Sequence, residues 1–226
     1  MRVLVPFAAG RPKTRLADVL DRDERRAFAE AMLSDVLAAV RAAGHTPELL
    51  TTERLDRDVT QTVDDRPLGT AVDAVLAERQ PTRESPLGIV MADVPLATAE
   101  SVRRLTGERH AGNGERGDEA TSESTPRADL VFAPGLGGGT NAMVVAHPGF
   151  RTDYHGASIR DHRRVAARLD ARVREVDSRR LATDVDDPAD LAEVLLHADG
   201  AAHDWLVDAG FTVRTGDGRV GVERTG

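Results

Sequence analysis

The sequence predicts an α/β fold: a single Rossmann-like domain at 1–226, with a mostly parallel central sheet, flanking helices and a C-terminal β-hairpin. Short apolar runs typical of buried strands alternate with longer segments whose apolar residues recur every three or four positions. A length of 226 residues suits one sizeable core and is short for two. Because aromatic residues are only 3% of the chain, we expect a core of small aliphatic side chains.

The first half of the chain opens as strand, loop and helix. The apolar run at 2–7 stops at a Gly/Pro loop, as a buried parallel strand does. Apolar residues from Phe28 to Val40 then follow a helical period, and Gly44 is placed to end that helix. The expected elements are, in order, a strand at 2–7, a helix from Asp23 to Gly44, strands at 48–52 and 59–63, a helix at 68–79 and a strand at 87–96.

The second half contains a polar, glycine-rich stretch at 107–127, which we expect to be a solvent-exposed, mobile insertion. A surface loop without function is the alternative. Two apolar arms around Asp217-Gly218 predict the hairpin, which could dock on its own domain or on a partner; we expect a homodimer. The expected elements are strands at 129–133 and 142–147, a helix at 158–169, a strand at 172–176, a helix that begins at Asp187 and the hairpin at 211–224.

Composition excludes several classes of function. The net charge of -8 argues against a nucleic-acid partner, because backbone binding requires a basic face. With no cysteine there is no disulfide or thiolate metal site, which suits a cytoplasmic chain. No stretch approaches the ~18 apolar residues of a membrane span. The basic residues are almost all arginine, a bias that resembles salt-loving archaea and that a GC-rich genome would also produce.

The single lysine, Lys13, lies in the loop GRPKTRL directly after the first strand, two residues before Arg15. Ligands of open α/β sheets bind at the carboxyl ends of the strands, and a following helix start favours anions. An ammonium and a planar guanidinium two residues apart suit a polyphosphate. The alternative is two solvated loop charges. The lysine count argues against that alternative, because another arginine would have served equally well.

Three acidic residues are candidates for a metal site. Asp93 follows an apolar run in MADVPL, with a turn aspartate as the alternative role. In DVDDPAD, a helix start explains Asp187 and Asp190 as cap and first-turn acid. That leaves Asp184 and Asp186, which share one side of an extended segment. Three such carboxylates would bind magnesium for phosphoryl or nucleotidyl chemistry.

Two further segments suit an anionic substrate. The stretch PGLGGGTNAM at 134–143 lets the backbone approach a ligand and present several N–H groups, with a flexible turn as the alternative. It is neither a Walker loop nor a dinucleotide fingerprint, since Thr140 replaces the third glycine. In 154–164, Ser158 is placed to cap a helix. His162 lies in the same helix start and could contact the anionic substrate, with a packing role as the alternative. The histidines show no zinc-ligand spacing, and no hydrolase triad stands out.

Together, PKTRL, MADVPL, GGGTNAM, the stretch at 154–162 and DVDDPADL resemble the 2-phospho-L-lactate guanylyltransferase family, in the family's order and over nearly the whole chain. The resemblance implies a fold of the nucleotide-diphospho-sugar transferase type. It also implies an enzyme that transfers GMP from GTP to 2-phospho-L-lactate in coenzyme F-420 biosynthesis. The products would be lactyl-2-diphospho-5′-guanosine and pyrophosphate. Its partners would be these small molecules, with Mg²⁺ as cofactor.

The resemblance also implies roles for individual residues. Asp93, Asp184 and Asp186 would hold Mg²⁺. Lys13 and Arg15 would stabilise charge on the triphosphate and act in catalysis with Asp93. The nucleotide-binding set is Lys13, Arg15, Leu68, Gly69 and Asp93, and the acceptor-binding set is Gly139, Thr140, Gly156 and Ser158. One departure is His155, which separates the family's aromatic residue from its glycine, here Gly156.

Three other functions stay open. In the first alternative, the enzyme transfers the nucleotidyl group to another phospho-acid, such as phosphoenolpyruvate or 3-phosphoglycerate. In the second, the acceptor is a molybdopterin. Molybdopterin guanylyltransferases carry a glycine-rich loop directly after the first strand, whereas here the glycines come much later. The third alternative, a non-catalytic nucleotide-sensing module, would need neither three acids nor an acceptor loop.

Overall fold

The computed structural model describes residues 1–10, 13–107, 128–215 and 220–225. Nine strands and seven helices form in these ranges, with short 3-10 turns at Thr14–Leu16 and Pro188–Asp190. The strands are β1 (Arg2–Phe7), β2 (Thr46–Thr51), β3 (Thr60–Val63), β4 (Leu87–Val90), β5 (Leu130–Pro134), β6 (Thr140–Val145), β7 (Val173–Glu175), β8 (Phe211–Arg214) and β9 (Gly221–Arg224). The helices are α1 (Arg22–Ala42), α2 (Leu68–Arg79), α3 (Ala99–Thr106), α4 (Ser158–Arg168), α5 (Arg179–Ala182), α6 (Leu191–His197) and α7 (Ala201–Asp208).

The central sheet has seven strands in the order β3-β2-β1-β4-β6-β5-β7. Every neighbouring pair is parallel except those of β6, which runs antiparallel to both β4 and β5. The predicted mostly parallel sheet is therefore confirmed. The reversal of β6 has a functional consequence: Val90 at the end of β4 pairs with Ala142, so the first residue of β6, Thr140, lies at the ligand-binding edge.

Helices cover both faces of this sheet, as predicted. On one face, α1, α3, α5, α6 and α7 share a core with Val3 and Val5 of β1. On the other face, α2 and α4 share a core with Leu4. Successive residues of a strand point to opposite faces, so a continuously apolar strand is required wherever both faces are covered. The apolar run at 2–7 meets that requirement.

The long helix α1 shows why the sequence folds locally as it does. The Asp21 carboxylate accepts from the Glu24 amide at 2.8 Å, and the Glu24 carboxylate accepts from the Asp21 amide at 2.9 Å. This reciprocal cap satisfies two donors that a helix start leaves without a partner. At the other end Gly44 adopts a φ of +88°, a conformation that favours glycine. The helix thus begins at Arg22 and stops before Gly44, close to the predicted bounds.

The structure corrects several predicted elements. The strand expected at 87–96 ends at Val90, although Ala92, Val94 and Leu96 remain buried, so the long apolar run reflects burial rather than strand. Ser158 is not the cap of α4: Ala157 holds that position, and the Ser158 side chain turns inward. The helix expected from Asp187 starts as a 3-10 turn and becomes α-helical at Leu191. Helices α3, α5 and α7 were not predicted.

The C-terminal hairpin forms from β8 and β9, which pair antiparallel with Val213 opposite Val222. It docks on its own domain, because Phe211 is buried in the main core and Arg224 donates to Glu24 at 2.6 Å. The predicted turn at Asp217-Gly218 and all but the first residue of the predicted insertion lie outside the described residues. No helix in the described ranges is long and apolar enough to cross a membrane.

Candidate active site

A cleft of about 480 Å³ opens at the carboxyl ends of the central strands. Its apolar part is formed by the ends of β1 and β2 and by the start of α2, including Phe7, Leu50 and Leu68. Lys13, Arg15, Asp93 and Asp186 line it as well. Lys13 and Asp186, separated by 173 positions in sequence, thus meet in one place, at the edge where α/β sheets bind ligands.

Lys13 lies between two carboxylates. Its Nζ is 2.6 Å from Oδ2 of Asp93 and 2.9 Å from Oδ1 of Asp186, and its side chain is only 10% exposed. Its backbone is left-handed at φ 52°, which is uncommon for a residue other than glycine. The 3-10 turn holds it there, since the amide of the fully buried Leu16 donates to the Lys13 carbonyl. Such backbone strain is frequent at functional sites.

The neighbouring carboxylates keep the Lys13 amine protonated. Burial lowers the pKa of the Lys13 amine, but attraction and hydrogen bonds from Asp93 and Asp186 outweigh it, so the pKa lies above its ordinary value. Arg15 is a second cation at the same place, with Nη1 3.6 Å from Oδ2 of Asp186 and a side chain that is 67% exposed. A buried ammonium and a mobile guanidinium therefore flank Asp186.

Backbone contacts bring the acidic segment to Asp93. The Val185 amide donates to the Asp93 carbonyl at 3.0 Å. The carboxylate of Asp190 accepts from the amides of Asp186 and Asp187, at 2.9 and 2.8 Å. Asp190, predicted only as a first-turn acid, therefore also holds the backbone of the segment that carries Asp186.

Asp184 has a different environment from the other two acids. Its Oδ1 accepts from Nδ2 of Asn141 at 3.0 Å, and Asn141 also donates to the Ala182 carbonyl. Burial raises the pKa of the Asp184 carboxyl, the Asn141 hydrogen bond opposes this rise, and the negative charges of Asp93 and Asp186 add to it. Asp184 is therefore close enough to Asp93 and Asp186 for their charges to raise its pKa, but it bonds to Asn141 of β6 rather than to Lys13.

The donor set suits one hard cation. In the described part of the chain, no three acidic or histidine side chains converge as a ready-made metal cage. Asp93 and Asp186 nevertheless converge on one positive charge, at hydrogen-bond distance from both. Mg²⁺ is usually held by one or two carboxylates together with substrate phosphates and water, so a pair of carboxylates beside a cleft fits it.

Two of the predicted acceptor residues, Thr140 and Ser158, lie on the other side of β4 in a buried hydrogen-bonded cluster. Ser158 donates to Oγ1 of Thr140 at 3.3 Å, and Nδ1 of His162 lies 2.9 Å from the same oxygen. The Asp153 amide donates to Nε2 of His162 at 3.0 Å, so Nδ1 carries the proton and donates to Thr140. Burial lowers the pKa of His162 to about 4. This histidine, for which the sequence left a substrate contact and a packing role open, orients Thr140.

The glycine loop is folded on itself. The Gly135 amide donates to the Gly139 carbonyl and the Gly138 amide to the Gly135 carbonyl, each at 3.0 Å. The loop contacts the start of α4 through the Ile159 amide, which donates to Gly138. Gly156 is exposed with a φ of +51°, and His155 points outward to Asp153. The loop is therefore more internally bonded than the predicted row of free N–H groups.

Sequence reasoning missed several site residues. Asp64 and Arg66 line the cleft, and the only signal for them was the acidic-basic pair directly before PLG. Asn141, which holds Asp184, lies in the stretch PGLGGGTNAM, whose glycines predict an anion-binding loop and no contact with Asp184. Of the predicted nucleotide residues on α2, Leu68 is among the described residues that line the cleft, whereas Gly69 is not. A side chain at Gly69 would meet Oγ1 of Thr152 at 3.7 Å.

The fold is that of nucleotide-diphospho-sugar transferases. A solved putative nucleotide-diphospho-sugar transferase from Desulfovibrio desulfuricans G20 superposes with a TM-score of 0.68 at 13% identity, over 92% of this chain and 94% of that one. A lysine and carboxylates at the cleft of this fold are groups that nucleotidyl transfer uses. Enzymes that transfer nucleotidyl groups generally use a divalent metal ion with the nucleotide.

The family follows from the sequence comparisons. A family model described as "Guanylyl transferase CofC like" matches residues 1–225, and the chain belongs to that family. It is 55% identical to the 2-phospho-L-lactate guanylyltransferase of Haloarcula marismortui, over 99% of each chain. It is 53% identical to the protein of the same name from Halomicrobium mukohataei, over 99% of this chain and 100% of that one. The family resemblance read from the motifs is confirmed.

Proposed function

We propose that this enzyme transfers GMP from GTP to 2-phospho-L-lactate, giving lactyl-2-diphospho-5′-guanosine and pyrophosphate. The observation that carries this proposal is the Lys13 ammonium between Asp93 and Asp186 at a nucleotide-sized cleft. The curated relatives with more than half of their residues identical bear this function in their names. The reaction forms part of coenzyme F-420 biosynthesis.

The chemistry is a displacement at phosphorus. An oxygen of the acceptor's phosphate attacks the α-phosphorus of GTP, and the bond from that phosphorus to the bridging oxygen of the β-phosphate breaks. Pyrophosphate leaves with the bonding electrons. Such a reaction needs alignment and charge stabilisation more than covalent help, so carboxylates, a lysine and an arginine suffice.

Asp93 and Asp186 would hold Mg²⁺, with Asp184 beside them. The bound ion would neutralise charge on the phosphates of the nucleotide. Lys13 stays protonated and reaches the same position, so its ammonium binds phosphate oxygens while it remains near Asp93 and Asp186. Arg15, on the exposed side of Asp186, binds the leaving pyrophosphate with its fork of N–H donors.

The acceptor is held from the β6 side. Thr140 and Ser158 present hydroxyl groups at the point where the glycine loop meets α4, with Gly139 and Gly156 flanking them in the chain. Asn141 follows Thr140 directly and binds Asp184, so a side-chain hydrogen bond links the strand that carries Thr140 to the segment that carries the metal residues. We assign these groups to the phosphate and carboxylate of 2-phospho-L-lactate.

The test is to incubate the purified enzyme with Mg²⁺, GTP and 2-phospho-L-lactate and to follow pyrophosphate release, with mass spectrometry of the product. Release that depends on all three supports the proposal. Release with phosphoenolpyruvate or 3-phosphoglycerate alone would keep the reaction and change the acceptor. Nucleotide binding without release in any mixture would favour a sensing module and overturn the enzyme.

We further propose a single domain over 1–226 that assembles as a homodimer in the cytoplasm. Light scattering at molar salt measures the assembly directly. A particle mass near twice the chain mass of 24.3 kDa is expected, and a mass equal to that of one chain would contradict it.

A further inference from the structure

The ion pair of Asp64 and Arg66 lines the cleft but has no part in the chemistry described above. Asp64 follows β3, the edge strand, whereas Asp93 follows β4. In the sheet order these strands are three places apart, with β2 and β1 between them. At the usual strand spacing the two acids are separated by roughly 14 Å. That separation suits a nucleoside monophosphate lying across the ends of β1 and β2.

Asp64 is fixed in place. Its amide donates to the Thr51 carbonyl at 2.9 Å, which continues the pairing of β3 with β2. Its Oδ1 accepts from the amide of Arg66 at 3.0 Å and from Nε at 2.9 Å, and its Oδ2 accepts from Nη2 at 2.5 Å. The Asp64 side chain is 14% exposed and that of Arg66 52%. The carboxylate is thus the inner partner and the guanidinium the outer, more exposed one.

Arg66 also keeps Asp64 ionised. Hydrogen bonds from the side chain and the backbone of Arg66 lower the pKa of the Asp64 carboxyl to about 2. An ionised carboxylate only accepts hydrogen bonds. A fixed, ionised acceptor therefore lies at the end of the cleft distant from Asp93.

Of the common nucleobases, guanine matches a carboxylate best. Its N1–H and its 2-amino group are adjacent donors on one edge, so both oxygens of a carboxylate can accept at once. Adenine places an acceptor nitrogen at position 1, which a carboxylate repels. Uracil offers one donor, N3–H, between two carbonyl acceptors, and cytosine offers only its 4-amino group, next to the acceptor N3. A site that must pair a buried polar group rejects a ligand that leaves it unpaired.

We propose that Asp64 selects guanine by accepting hydrogen bonds from N1–H and the 2-amino group, and that Arg66 is a positioning residue that holds the carboxylate. The proposal rests on the proposed function only in taking the nucleotide to be GTP. When guanine binds, the exposed Arg66 side chain releases its contact with Oδ2. The Arg66 amide, which belongs to the backbone, continues to hold Oδ1.

The test compares GTP with ITP, which lacks only the 2-amino group, and with ATP. Dissociation constants are measured by calorimetry on the full chain at fixed Mg²⁺ and salt, without acceptor. The unmodified enzyme is expected to bind GTP about 10-fold or more tighter than ITP, and ATP more weakly still. Asp64→Asn is expected to weaken GTP binding by about 10- to 100-fold and to bring the GTP:ITP ratio close to one.

Two variants serve as controls. Asp65→Asn removes the adjacent exposed carboxylate, which is not among the described residues that line the cleft, and is expected to keep the ratio. Arg66→Gln keeps the Asp64 carboxylate, so GTP binding should weaken by only a few-fold with the ratio retained. Thermal unfolding followed by circular dichroism shows that each variant is folded.

Two outcomes would overturn the inference: an unchanged GTP:ITP ratio in Asp64→Asn, or an equal change in Asp65→Asn. Because the measurement contains no acceptor, an error in the acceptor assignment leaves it intact. Equal binding of GTP and ITP by an enzyme that still forms the guanylyl product would reject Asp64 alone. Failure to bind GTP at all would reject both the inference and the proposed function.

Discussion

The polar groups on the two sides of strand β4 are held in opposite ways. On the nucleotide side, Lys13, Asp93 and Asp186 are full charges from three separate segments, partly open to the cleft and neutralised by one another. On the acceptor side, Thr140, Ser158 and His162 are neutral, at most 3% exposed and bonded in a closed cluster.

The difference shows what each side can do. Charges that balance one another across separate segments exchange partners when a metal or phosphate arrives, because the new ion replaces an existing one. A buried neutral cluster exchanges partners less readily, since a hydrogen bond that breaks without a ligand to replace it leaves a group unsatisfied at a cost of about 1–3 kcal/mol. Substitutions on the nucleotide side should therefore lower turnover, and those on the acceptor side should also lower stability.

The largest effect is expected from Asp93→Asn. The amide is isosteric but carries no charge, so Lys13 loses one partner and the metal loses a ligand. Turnover in the pyrophosphate-release assay should fall by about 1,000-fold or more, while the unfolding temperature changes by only a few degrees. Asp18→Asn, an exposed acid in the same region of the first loop, is the matched control and should behave as the unmodified enzyme. Full turnover in Asp93→Asn would remove it from the site.

Lys13→Arg should lower turnover by about 100-fold, because a planar guanidinium does not fit the position of a compact ammonium 2.6 and 2.9 Å from two carboxylates. Arg15→Lys, at a side chain that is 67% exposed, should cost much less. Kinetics of both variants at saturating GTP make the comparison. If Lys13→Arg retains full activity, the single lysine reflects codon usage rather than chemistry.

Gly135→Ala tests the link between the two sides. A Cβ at this position would lie 2.6 Å from Oδ1 of Asn141, so Asn141 must shift and release Asp184. Turnover should fall by about 10-fold, with a higher Mg²⁺ requirement, which a titration with the metal measures. In the same loop, a Cβ at Gly137 meets nothing within 4 Å, so Gly137→Ala is a neutral control. Equal effects of the two would argue against this role of Asn141.

His162→Gln should affect turnover least and stability most. The unfolded chain takes up a proton on this histidine near the ordinary value of 6.5, whereas burial lowers the folded pKa to about 4, against the opposing charges of Asp153 and Asp161. Stability from this group is therefore present above pH 6.5 and lost as the pH falls towards 4, by roughly 3 kcal/mol in all. The variant should be less stable at pH 7 and should lack this pH dependence.

Denaturant unfolding between pH 7 and pH 5 measures that slope. His203→Gln, which replaces a partly exposed histidine of α7, is the control and should keep the slope of the unmodified protein. A slope that survives in His162→Gln would show that other groups govern the acid side of the stability curve.

The rule that ligands bind at the carboxyl ends of parallel strands predicted well which residues meet in the cleft. It placed Lys13 and Asp93 at one edge of the sheet, and the DxD spacing brought Asp186 to them. It did not separate Asp184, because spacing alone says nothing of Asn141, which holds that carboxylate. The direction of β6 was equally hidden, because a buried strand reads alike whether its neighbours run parallel or antiparallel.

The remaining differences between the predicted and the observed site have a common physical cause. Ser158 has the composition of a helix cap, yet the Thr140 hydroxyl offers it a buried partner, and that tertiary contact prevails over local propensity. Asp64 and Arg66 were not candidates at all, because the sequence does not reveal that β3 ends at a cleft. In each case the deciding partner lies far away in the chain.

Because of its position, Lys13 can also serve as a chemical probe of the site. The chain has no other lysine, so an amine-selective reagent has only one side-chain target besides the α-amino group. An ammonium that is 10% exposed and held protonated between two carboxylates reacts slowly, because acylation requires the neutral amine. Mass spectrometry of the modified peptide would therefore follow, at one atom, how metal and nucleotide redistribute the charges of the site.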